Sequence, residues 1–133
     1  MIQLCLSNVK DLEAMKKILG SVAVSNNLTL YDRSLETQAE LEAIAETQKD
    51  FLVARPTINI GTLENGKGFS VGNFAEAPLQ IVVGFSKGSD PTTAQTLAIA
   101  TTRALAEKWK VYEVHNPKLT GAFPLKQCNL QST

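Results

Sequence analysis

Hydrophobic residues along the chain change between the spacing of strands and the spacing of helices. Ile2, Leu4 and Leu6 alternate with polar neighbours, which predicts a short first strand. Between residues 9 and 22 the apolar positions recur at intervals of three and four, which predicts an amphipathic helix. A second short strand is expected at residues 28–30, where it leads into Tyr31 and Asp32.

A second helix is predicted from about residue 35 to residue 51. Ser34 is a suitable N-cap for it, and the Arg55-Pro56 step ends the segment because proline disfavours a helical residue before it. The helix and the residue after it should pack on the core through one apolar side, formed by Leu41, Ile44, Ala45, Phe51 and Leu52.

Asn65-Gly66 predicts a β-hairpin with a two-residue type I′ turn, since both residues tolerate a positive φ. This turn places Thr62 opposite Phe69 and Ile60 opposite Val71. Those four side chains then share one face of the sheet, and we expect that face to be buried.

The second half of the chain predicts three more elements. Residues 79–85 are almost continuously apolar, which favours a central strand. Asp90 and Pro91 are suited to begin a helix with a small-residue face, and residues 111–114 form a last strand. The order is β-α-β-α-β-β-β-α-β. We therefore expect one α+β domain over residues 1–133, with a mixed or largely antiparallel sheet and about three helices mainly on one face.

Composition excludes several classes of function. The chain has 133 residues, 44% hydrophobic, and its 13 Lys and Arg balance 13 Asp and Glu. Zero formal net charge disfavours a general nucleic-acid binder, and no apolar run is long enough to span a bilayer. One histidine and two cysteines disfavour a His-rich or four-Cys metal site. We expect no metal or other cofactor.

Cys5 and Cys128 lie near opposite ends of the chain. They are either two buried thiols or a disulfide, which would require an oxidising compartment. The first residues lack the pattern of a signal peptide. The sequence therefore leaves two locations open, the cytoplasm or, with a disulfide, the exterior as a processed exported domain.

Five carboxylates lie within an arc of about 160° around the second predicted helix. They are Glu36, Glu40, Glu42, Glu46 and Asp50. Residues 32–50 contain six acidic and two basic side chains, a net charge of −4. One interpretation is an ordinary solvated face, with the first-turn acid stabilised by the helix dipole. The other is a docking surface for a partner protein with a basic surface.

A second candidate site lies where the second strand meets the second helix. Asp32 could act as a general base and Arg33 could hold an anion, with Tyr31 and Arg55 on the same rim. The alternative is that Asp32 or Ser34 caps the helix and Arg33 pairs locally. His115 has no motif of a nucleophilic triad around it, and no catalytic residue is assigned.

The sequence favours a non-enzymatic interaction domain of bacterial type, such as an inhibitor or an immunity-like protein, that binds through the acidic helix. Two alternatives remain open. One is a small-ligand-binding domain using Tyr31, Arg33 and Arg55, and the other is a small hydrolase or transferase using Asp32 or His115.

Overall fold

The computed structural model describes residues 1–62, 68–86 and 91–114. Within them the elements follow the predicted order. They are β1 (Ile2–Cys5), α1 (Asp11–Ser25), β2 (Tyr31–Asp32), α2 (Ser34–Thr47), β3 (Asn59–Gly61), β4 (Gly68–Asn73), β5 (Gln80–Ser86), α3 (Pro91–Ala106) and β6 (Val111–Glu113).

The six strands form one antiparallel sheet in the order β2-β3-β4-β5-β1-β6. Alternate strand residues, including Leu4, Val71 and Ile81, share a single buried cluster with α1 and α3. The helices contribute mainly Leu12, Met15, Leu19, Leu97 and Leu105 to this cluster. The predicted α+β single-domain fold is therefore confirmed.

The predicted register of the hairpin is also confirmed. Ile60 pairs with Val71, and the Thr62 backbone N–H donates to the Phe69 carbonyl at 3.0 Å. Ile60, Thr62, Phe69 and Val71 are each at most 3% exposed. The pairing that was predicted from the turn and agrees with the burial pattern is therefore correct, while the Asn65-Gly66 turn itself lies outside the described residues.

Strand β5 is central, as predicted, because it lies between β4 and β1. The sequence pattern suggested apolar contacts on both faces, but the face that carries Val82 also carries the polar Gln80. Gln80 is fully buried, and its Nε2 donates to Oε1 of Gln3 in β1 at 2.9 Å. Because the two amide side chains are joined by a hydrogen bond, their burial costs less free energy than the burial of unpaired amides would.

Two boundaries in the first third of the chain differ from the prediction. The second strand is Tyr31–Asp32, whereas residues 28 and 30 pack partly buried against the core without forming a strand. Helix α1 begins only at Asp11, so Val9 precedes it and is 57% exposed. Its end is as predicted, since Asn26 follows the last helical residue and Asn27 adopts a positive φ of 58°.

Several predicted features fall outside the described residues, namely the Asp90 cap, His115 and Cys128. Both alternatives for Cys5 and Cys128, two thiols or a disulfide, therefore stay open. No helix in the described part of the chain is both long enough and apolar enough to cross a membrane.

Gly68, the first residue of β4, offers a direct test of the hairpin. Its φ is +116°, and an added Cβ would overlap Oγ1 of Thr62. We expect Gly68→Ala to lower the free energy of unfolding by about 2 kcal/mol or more, because backbone strain and overpacking add. Urea denaturation measures this loss.

Gly84→Ala is the matched control in the neighbouring strand. Its added Cβ would meet Oγ of Ser70 at 3.7 Å, an ordinary van der Waals distance. An equal loss of stability in both variants would contradict the tight approach of Gly68 to Thr62.

Candidate functional site

Helix α2 carries most of the residues predicted to bind a partner, but it is anchored differently from the prediction. It ends at Thr47, so Asp50 and Phe51 lie beyond it, and Ser34 is its only buried residue. Ile44 is 40% exposed and Leu52 is 64% exposed. The predicted core-facing apolar side is therefore wrong for Ile44 and Leu52, which are exposed, while Leu41, Ala45 and Phe51 are partly buried without joining the main hydrophobic cluster.

The side of α2 that is shielded from solvent is largely polar. It consists of the six residues of the helix that are not exposed, and we call it the inner side: Ser34, Thr37, Gln38, Leu41, Glu42 and Ala45. These positions recur at intervals of three and four, so they lie on one side of the helix. Four of the six carry hydrogen-bonding groups.

The inner side binds the chain segment that leads into β3. Oε1 of Gln38 accepts a hydrogen bond from the backbone N–H of Thr57, and Oγ of Ser34 accepts one from the backbone N–H of Asn59, both at 3.0 Å. The Asn59 side chain donates to Oγ1 of Thr37 at 2.8 Å. Side chains of α2 therefore occupy hydrogen-bonding groups at the sheet edge that the two-residue strand β2 is too short to cover.

The segment that receives α2 is itself held by Asn73, at the end of β4. Its Oδ1 accepts from the backbone N–H of Ile58 at 3.0 Å. Its Nδ2 donates to the carbonyl oxygens of Pro56 and Pro78, at 2.7 and 2.9 Å. Asn73 thus adds a side-chain connection between the segment beneath α2 and β4, beside the backbone pairing of β3 with β4.

Glu42 and Arg55 come together, although the sequence assigned them to different sites. Nε of Arg55 lies 3.4 Å from Oε1 of Glu42, which also accepts a hydrogen bond from Nε2 of Gln38. Glu42 therefore belongs to the inner side of α2 and not to its free acidic surface. This exposed ion pair stabilises the helix by only about 0–1 kcal/mol. Because Nε2 of Gln38 donates to Glu42, Oε1 of Gln38 is left to accept from Thr57.

The opposite side of α2, which we call the outer face, combines carboxylates with exposed apolar groups. It consists of Leu35, Glu36, Ala39, Glu40, Ala43, Ile44 and Glu46, all of them exposed. Leu35 is 87% exposed. Among the described residues no ion pair involves Glu36, Glu40, Glu46 or Asp50. Asp50 is exposed and lies after the helix, three residues beyond Thr47.

Asp32 has a structural role at the start of α2. Its Oδ1 accepts the backbone N–H of Ser34, the first residue of the helix, and its Oδ2 lies 3.0 Å from Nζ of Lys16 in α1. Partial burial raises the pKa of the carboxyl, but the hydrogen bonds from Ser34 and Lys16 outweigh it, so the pKa lies below 3.8. Both oxygens of the Asp32 carboxylate are therefore engaged in contacts within the protein.

The remaining members of the second candidate site are exposed. Tyr31 is 43% exposed, and Arg33 and the Arg55 side chain also face solvent. The sequence prediction that Ser34 is the N-cap is wrong, because Ser34 is already helical and its hydroxyl bonds to Asn59. The Asp32 carboxylate instead binds the first N–H of the helix, which is one of the alternatives that the sequence left open.

Two surface depressions lie elsewhere on the described structure. One, of about 430 Å³, lies between α1 and α3, and the other, of about 340 Å³, lies near Phe85 and Ile99. Neither is lined by Tyr31, Asp32, Arg33 or Arg55. Within the described ranges no three His, Cys, Asp or Glu residues are grouped as a metal site.

Comparison with known proteins gives no family to which the chain can be assigned. No protein-family model, curated protein or solved structure matches it.

The sequence prediction missed Gln38, Thr57 and Asn59, which determine how α2 is oriented. A signal for the inner side was present, since Ser34, Thr37, Gln38 and Glu42 recur at helical spacing. The partners at residues 57 and 59 could not be identified, because their contribution is mainly a backbone N–H that every non-proline residue carries.

Gln38→Ala tests the orientation of α2. The change leaves the N–H of Thr57, a buried residue, without its acceptor, which costs about 1–3 kcal/mol of stability. We expect amide hydrogen exchange in α2 to accelerate, measured by NMR or mass spectrometry. Gln48→Ala, an exposed position just after α2, is the control and should leave exchange within the helix nearly unchanged.

Asp32→Asn tests the contact between α1 and α2. Because folding lowers the pKa of Asp32, its carboxylate stabilises the fold above pH 3.8, and this contribution is lost as pH falls through the folded-state pKa. Wild type should therefore exceed the variant in unfolding free energy at pH 7, with the difference disappearing in acid. Urea denaturation across this pH range measures it.

The exposed Asp50→Asn variant provides the comparison and should stay close to wild type at pH 7. A difference between wild type and Asp32→Asn that does not change with pH would show that the Asp32 charge has no stabilising role.

Proposed function

We propose that the outer face of α2 docks onto a partner protein whose surface has an apolar patch bordered by lysine or arginine. The observation that supports this proposal is the orientation of the helix: its polar residues face the protein, while Leu35, 87% exposed, and Ile44 face solvent beside three carboxylates. Leu35 and Ile44 lie at opposite borders of this face, about 180° apart around the helix, with the carboxylates between them. Exposed apolar side chains beside charged groups are typical of protein-binding surfaces.

Apolar contact and charge would contribute differently to such a complex. Burying a leucine side chain contributes about 1.5–3 kcal/mol, which mainly slows dissociation. The carboxylates of Glu36, Glu40 and Glu46 attract a basic surface from a distance, which mainly accelerates association. Leu35 therefore contributes mainly to affinity. The acidic residues contribute mainly to the association rate and to the orientation of the two proteins.

The way α2 is held supports a preformed docking surface. Three hydrogen bonds attach its inner side to Thr57 and Asn59, and Asn73 fixes that segment to the sheet. A surface that is ordered before binding loses less conformational entropy when the complex forms. The partner therefore meets the outer face already assembled.

Charge also favours a different protein over a second copy of this chain. In a symmetric dimer the same patch would face itself. Glu36, Glu40 and Glu46 would then lie opposite carboxylates of the same sign, and like charges in an interface oppose binding. A partner with a basic surface would instead place positive charges opposite all three carboxylates. This combination fits a small non-enzymatic binding protein, for example a bacterial inhibitor or immunity-like protein that blocks a basic target.

A charge-matched pair of variants tests the proposal. The first carries Glu36→Lys, Glu40→Lys and Glu46→Lys on the outer face. The second changes three exposed acidic residues elsewhere, Glu13, Glu76 and Glu107, to lysine, so that net charge changes equally. Tagged wild type and both variants are used in parallel affinity capture from the source cells. The partner should be retained by wild type and the second variant and lost by the first.

Kinetics with the purified partner then separate the two contributions. The outer-face variant should associate at least about tenfold more slowly at low salt, with a weaker salt dependence than wild type. Leu35→Gln should mainly raise the dissociation rate, by about tenfold or more. Equal capture by both triple variants, or an association rate and salt dependence unchanged from wild type, would refute docking through α2.

A further inference from the structure

We draw no further inference here: the strongest candidate, the groove of about 430 Å³ between α1 and α3 floored by Ile18, Val22, Ala100 and Ala104, carries no proposal because nothing in the structure shows what covers it.

Discussion

The hydrogen bonds between α2 and the segment that leads into β3 determine which side of the helix faces solvent. The backbone N–H groups of Thr57 and Asn59 lie at the sheet edge beyond the two residues of β2, and they need acceptors. Gln38 and Ser34 provide those acceptors. With these polar groups facing inward, Leu35, which follows Ser34 by about 100° around the helix, lies on the exposed part of its circumference.

This arrangement connects stability to function. Most of the hydrophobic burial occurs where α1 and α3 pack on the sheet, and α2 contributes no residue to that cluster. Each hydrogen bond that holds α2 adds only about 0.5–1.5 kcal/mol. The hydrophobic core is therefore built without α2, and Leu35 and Ile44 stay exposed to solvent. Asp32 reinforces the arrangement by joining Lys16 of α1 to the first turn of α2.

The elements, their order and the hairpin register could be predicted from sequence because each follows from local spacing or from a turn with few alternatives. Ile60 and Val71 are paired by burial and turn geometry together. The candidate site was only partly predictable. Helical periodicity placed Glu36, Glu40 and Glu46 on one side, but it could not show that Glu42 turns toward Arg55, a contact across 13 residues. The general rule that apolar residues face the core failed for Ile44, because backbone groups at the sheet edge required polar partners.

The orientation of α2 is tested most directly by the solvent accessibility of its methyl groups in solution. A soluble paramagnetic agent added to methyl-labelled protein broadens NMR signals according to their exposure. We predict strong broadening for Leu35, clear broadening for Ile44, and little for Ile60, which is 1% exposed. Protection of Leu35 and Ile44 to the level of Ile60 would show that α2 packs through its apolar groups, and it would refute the proposed docking surface.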